Sequence, residues 1–162
     1  MKKLYVAAAL ALLGAACIFE PVPQAPKLGE VRLPIAAQQD TLWVSSDYQG
    51  KPLLIAVMGS WCPYCKMSIP ALNAVAEAYG DKIEVVGAFV DEDAQEVAEV
   101  AKAHGMTVKA LYNGGELAQY LQAEGFPHMV LFDKKHRLVK KWEGFSPNRE
   151  QDFRLYLDKL VK

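Results

Sequence analysis

Residues 53–58, Leu-Leu-Ile-Ala-Val-Met, form an unbroken apolar run behind Lys51-Pro52. A run of that length without polar alternation is what a strand buried on both faces shows. The pattern then changes period. Ile69, Leu72, Val75 and Tyr79 recur at helical spacing, and Gly80 ends the helix. Residues 83–90 (IEVVGAFV) predict a second buried strand. Asp93 begins an Asp-x-x-Glu start to a helix with Val97, Val100 and Ala101 on one face and Gly105 at its end.

Residues 107–112 predict a third strand, and 116–124 a short helix closed by Gly125. Residues 129–132 and 137–142 flank Asp133-Lys134-Lys135-His136 as a hairpin would. Ser146-Pro147 opens a last helix with Phe153, Tyr156, Leu157 and Leu160 on its inner face. Alternating strands and helices followed by an antiparallel pair give an α/β domain, with a mixed central β-sheet flanked by helices on both faces.

The N-terminal end reads differently. Met1-Lys2-Lys3 precedes an apolar run beginning at Leu4, and Gly14-Ala15-Ala16 leads to Cys17. That is the layout of an export signal over residues 1–17. The run from Leu4 to Phe19 is 16 residues, short of the roughly 20 that cross a bilayer as a helix. An uncleaved anchor and a buried helix are the alternatives. Leu13-Gly14-Ala15-Ala16-Cys17 resembles a bacterial lipobox, with Gly14 where Leu is usual. Lipidation of Cys17 and plain cleavage near Ala16 both stay open. Either places the domain outside the cytoplasm, in the periplasm, with membrane association through the N-terminus in the first case. Prolines at 21, 23, 26 and 34 suggest an extended tether over residues 18–35, followed by a domain over 36–162.

Composition narrows the classes. The chain of 162 residues is 52% apolar and 23% charged, with a net charge of −1. One domain fits that length, and no basic field points to nucleic acid.

The chemistry concentrates in GSWCPYCKMSIP, residues 59–70. Cys62 and Cys65 lie one helical turn apart at the start of the first helix, where backbone N–H groups lack partners and the dipole is positive. A thiolate on Cys62 is favoured there, with Lys66 one turn on. Cys65 sits a turn deeper, so Cys62 is the attacking and Cys65 the resolving thiol of a redox-active disulfide. Pro63 is tolerated in the first turn because no N–H is needed there.

Strand, Trp61-Cys-x-x-Cys, a helix containing Pro70, and Gly125-Phe126-Pro127 before a later strand together resemble the thioredoxin fold. The export signal, Gly50-Lys51, Val90-Asp91-Glu92 and the inserted strand–helix unit at 107–124 are similar to the TlpA/ResA-like periplasmic oxidoreductases. The resemblance covers about residues 36–162. It implies a protein thiol–disulfide oxidoreductase, a reductant of client disulfides such as those of apocytochrome c, recharged by a membrane thiol–disulfide electron donor. It implies no cofactor and a monomeric domain. It makes Pro127 a cis-proline that presents the Phe126 backbone to a client strand, with Trp61 and Phe126 as an apolar rim for docking. Two departures stand out. The family's carboxylate positions, six residues before and after the first cysteine, hold Ala56 and Ser68. The proton acceptor for Cys65 is then unassigned, with water or Glu84 as candidates.

Other classes fit less well. Zinc needs four ligands, and no second CxxC or HxxxH occurs. Copper delivery on this fold normally uses CxxxC with a distant His. A four-residue disulfide loop constrains little chain, so a purely structural bridge is a weak reading. The rival is a non-catalytic or chaperone-like partner-binding module. Of the histidines, His128 either faces the dithiol or packs elsewhere, His104 sits at a helix C-terminus, and His136 belongs to the hairpin turn.

Overall fold

The computed structural model describes residues 26–38 and 40–162. The export signal, Cys17 and residues 18–25 of the expected tether lie outside the described residues. In chain order the elements are β1 (Arg32–Pro34), β2 (Leu42–Val44), β3 (Leu53–Met58), α1 (Pro63–Tyr79) and β4 (Glu84–Phe89). They continue with α2 (Ala94–Ala103), β5 (Lys109–Leu111), α3 (Gly115–Tyr120), β6 (His128–Phe132), β7 (Leu138–Glu143) and α4 (Arg149–Leu160).

The five-stranded sheet runs β5-β4-β3-β6-β7. β3 pairs parallel with β4 and antiparallel with β6. It is the mixed sheet of the thioredoxin fold. Central β3 is buried at all six positions, as its unbroken apolar run requires. Alternate β3 residues divide between the faces. Leu54, Ala56 and Met58 pack with Ile69, Leu72 and Val75 of α1, Val97 of α2, and Phe153 and Leu157 of α4. Leu53, Ile55 and Val57 pack with Leu117 and Ala118 of α3 and with Leu33 and Trp43 of the β1–β2 hairpin.

That second face explains where the tether reading fails. One helix of six residues cannot cover it, so the chain before residue 36 does. Leu28, Leu33 and Ile35 are buried, and Leu33 pairs with Trp43 in the hairpin. Leu138 N donates to Pro26 O and Leu28 N to His136 O, both at 2.8 Å. Among the described residues, packed structure is therefore already present from Pro26 on rather than starting after residue 35. Prolines 26 and 34 sit in a short two-stranded ribbon and its approach, where a missing N–H is tolerated. The helices are also shorter than expected near Gly125: α3 stops at Tyr120, and Leu121 is its C-cap. Among the described residues no helix is long and apolar enough to cross a membrane.

Candidate active site

β3 ends at Met58, and a turn closed by Cys62 N donating to Gly59 O (3.1 Å) delivers the chain to α1. The Trp61 ring folds back over Gly59, so that a Cβ there would fall 2.8 Å from it and the exposed ring would have to shift. Cys62 is the N-cap of α1 and Pro63 its first residue. The Cys65 N–H donates to Cys62 Sγ at 3.2 Å. The first turn thus spends one of its unpaired amides on the leading sulfur, as an N-cap should. Across from it, Cys62 Sγ lies 3.7 Å from Phe126 O, and the Phe126–Pro127 peptide bond is cis.

Both thiols are free. Cys65 is fully buried and Cys62 is 8% exposed. Burial pushes the Cys65 thiol above its usual range; the contact with Cys62 and the Asp91 charge push the same way, against the Gly59 backbone. The two sulfurs are therefore unequal in access and environment.

The dithiol has an aromatic margin. Trp61 is 61% exposed and meets Phe126 edge-on at 6.4 Å. Tyr64 and Met67, on the first turns of α1, are also exposed, and Tyr64 stacks on Phe145 at 6.2 Å. Trp61, Phe126 and Pro127 thus come together with Cys62 as the sequence suggests. Tyr64 and Met67, inside the same motif, extend the margin, and so does Phe145, which spacing could not single out because it arrives from the loop after β7.

Two sequence candidates lie elsewhere. Glu84 begins β4 beside Leu53, at the opposite end of the sheet from Met58. Its Oε1 accepts from Trp43 Nε1 (3.0 Å) and Lys109 Nζ (2.7 Å). It anchors the hairpin to the sheet and cannot serve Cys65. His128 is fully buried, and strand phase puts it on the Val130 face, away from Cys65, whose cluster contains Met129. Burial, with the Lys141 charge, lowers its pKa below the ordinary value. Neither ring nitrogen has a hydrogen-bond partner among the described residues; Nδ1 lies 3.8 Å from the exposed Glu143 carboxylate, and Lys141 Nζ donates to the nearby Leu121 O at 2.7 Å. His136 is buried as well, with Nδ1 3.0 Å from Gln49 Nε2 and Nε2 3.2 Å from Tyr48 O.

A cluster that spacing did not reveal sits under the turn. Ser60 N donates to Asp91 Oδ2 at 3.0 Å. The Ser60 hydroxyl is 2.5 Å from Asp91 Oδ1 and 2.6 Å from Glu96 Oε1. The three residues come from the turn after β3, the turn after β4 and the first turn of α2. The parallel pairing of Met58 with Phe89 brings the two turns side by side.

Comparison with known proteins agrees with this geometry. The Redoxin family model matches residues 22–157. The thiol-disulfide oxidoreductase ResA of Bacillus thuringiensis subsp. konkukian is 26% identical over 117 residues, covering 71% of this chain and 66% of the relative. The thiol:disulfide interchange protein DsbE of Pseudomonas aeruginosa is 29% identical over 118 residues, covering 65% of this chain and 64% of the relative. The chain thus spans at most about two thirds of the length of these relatives. A crystal structure of a thiol:disulfide interchange protein of the thioredoxin family from Chlorobium tepidum superposes with a TM-score of 0.73 at 17% identity, covering 88% of this chain and 99% of that one; at that identity it speaks for the fold. With the family matched over most of its length and the CxxC at the strand–helix junction of this fold, the chain belongs to the Redoxin family, as a TlpA/ResA-like member of the thioredoxin superfamily.

Proposed function

We propose that the chain is a thiol–disulfide oxidoreductase that reduces disulfides of client proteins outside the cytoplasm. The carrying observation is the pair of free, unequal thiols: Cys62 at the helix cap and solvent margin, Cys65 buried behind it. Cys62 thiolate attacks a client disulfide, one client sulfur leaves as thiolate, and a Cys62–client mixed disulfide forms. Cys65 then loses its proton and attacks Cys62 Sγ. The mixed disulfide breaks, the second client sulfur leaves, and Cys62–Cys65 is oxidised as the client gains two electrons.

Trp61 and Phe126 border Cys62 and receive the apolar part of a client segment, and Pro127 sets the Phe126 backbone beside the sulfur. An extended client chain pairing with that backbone would be a case of β-addition. A membrane thiol–disulfide donor would return the centre to the dithiol, and apocytochrome c is a client of the kind expected. The basic start, apolar run and Cys17 support export with a membrane-held, lipidated N-terminus.

Insulin reduction tests the reading. The protein should accelerate precipitation of the insulin B chain in the presence of a small thiol, and Cys62→Ser should abolish that. Activity surviving in Cys62→Ser, or none in the wild type, would favour a non-catalytic partner-binding or chaperone-like module. A dithiol potential near that of strong oxidants, about −120 mV, would reverse the assigned direction.

A further inference from the structure

The buried face of α4 carries Arg149, Phe153 and Leu157 at four-residue spacing. Phe153 meets Trp142 of β7 edge-on at 5.0 Å, so this stripe seats the helix on the sheet. The helical period calls for an apolar residue at 149, and a cation only 6% exposed stands there instead. Among the described residues its Nε has no hydrogen-bond partner. The rest of the guanidinium is committed. Nη1 pairs with Asp152 Oδ2 at 3.0 Å, and Nη2 donates to Gly144 O at 3.0 Å and to Glu143 O at 3.4 Å. Packing alone does not account for this choice, because an apolar side chain would fill the space with no charge and no orphaned donor. What the guanidinium adds is a grip on two consecutive carbonyls.

Those carbonyls belong to the backbone that supports the edge beside Cys62. The Gly144 N–H donates to Pro127 O at 2.8 Å, and the adjoining Phe126 O lies 3.7 Å from Cys62 Sγ. Next in the loop, Phe145 stacks on Tyr64, between the two cysteines, at 6.2 Å. Strand pairing does not fix this loop, since the β6–β7 register ends with His128 opposite Glu143. Gly144 then turns the chain at a φ of +66°, where a side chain would be strained.

We propose that Arg149 is a positioning residue for client capture: its guanidinium fixes the Glu143–Gly144 backbone, which holds the Pro127 carbonyl and seats Phe145 against Tyr64. The proposal rests on the oxidoreductase reading above, with docking at Phe126 and Pro127. An edge already in place spares the client the cost of ordering it on binding. Arg149 hydrogen-bonds to neither sulfur; its partners are Asp152 and the two carbonyls. A small disulfide with no peptide chain to dock therefore does not depend on it.

Insulin and a small symmetric aromatic disulfide separate docking from thiol chemistry. At a fixed concentration of small thiol, Arg149→Met should raise the KM for insulin about tenfold, the size of a lost hydrogen bond to a charged group. Its kcat should stay within about twofold of the wild-type value, and so should the rate at which Cys62 releases the first thiol from the aromatic disulfide. Arg149→Lys keeps one charged donor group and should recover part of the KM. Asp152→Ala frees one end of the guanidinium and should raise the insulin KM about threefold, as the loss of a partly exposed ion pair would. It gives the reading if Arg149→Met does not fold. An insulin KM unchanged in whichever of these variants folds, or both substrates slowed equally, overturns the assignment and leaves Arg149 a packing residue. No thiol release from either substrate by the wild type would instead sink the oxidoreductase reading.

Discussion

Thiol alkylation of the reduced protein should be strongly one-sided, and the structure says by roughly how much. Alkylating reagents attack thiolates, and a thiol of ordinary pKa near 8.5 is only about 3% thiolate at pH 7. Burial pushes Cys65 upward from there, and each unit of rise removes a factor of about ten. Cys65 is also closed to solvent while Cys62 is 8% exposed and lies on the margin formed by Trp61. Reagent reaches Cys65 only when the start of α1 opens, which adds a second penalty to the first. Together these give Cys62 an advantage of at least about 100-fold at pH 7. The measurement is a time course with iodoacetamide, the two cysteines resolved by peptide mass spectrometry, with Cys62→Ser and Cys65→Ser as single-thiol controls. Rates within about threefold of each other, or Cys65 modified first, would refute the division of labour between the sulfurs.

Glu84→Ala should destabilise the fold by about 1–3 kcal/mol in urea denaturation, because the buried Trp43 indole N–H and Lys109 lose their acceptor. The rate of insulin reduction by the folded protein should not change; a slowed rate would restore Glu84 as the proton acceptor. His128 has a folded-state pKa below its unfolded value, so its stabilising contribution is present above about pH 6.5 and is lost as pH falls from there toward the folded value. His136 shifts in the same direction. His128→Leu removes the titrating ring together with its 3.8 Å contact to the exposed Glu143 carboxylate, and should flatten the fall in urea midpoint between pH 7 and pH 5 without removing the share due to His136; an unaltered slope would contradict the burial argument.

The switches of hydrophobic period were enough to read β3, α1, β4, α2, the β6–β7 pair and α4, because each is long enough to show a period. The hairpin was not legible. Its strands are three residues each, too short for alternation, and prolines 26 and 34 gave the segment the look of a tether. Only the bareness of the second sheet face explains why Leu28, Leu33 and Ile35 are buried. Cys62, Cys65, Trp61 and Phe126 could be found because a short motif and one Gly-Phe-Pro carry them. Ser60, Asp91 and Glu96 could not, since their contacts span 31 and 36 residues and depend on parallel register between β3 and β4. His128 shows the same limit from the other side. Its neighbour Pro127 borders the dithiol, yet one step of strand alternation turns its ring to the opposite face.

The central claim, that Cys62 attacks client disulfides and Cys65 resolves them, is tested most directly by trapping. In Cys65→Ala the attack can proceed and the resolution cannot, so mixed disulfides with client proteins should accumulate. Mass spectrometry of extracts from cells producing this variant should find client cysteines joined to Cys62, released by added reductant and missing from Cys62→Ala/Cys65→Ala. Adducts equally abundant without Cys62, or no adducts in Cys65→Ala, would contradict the account.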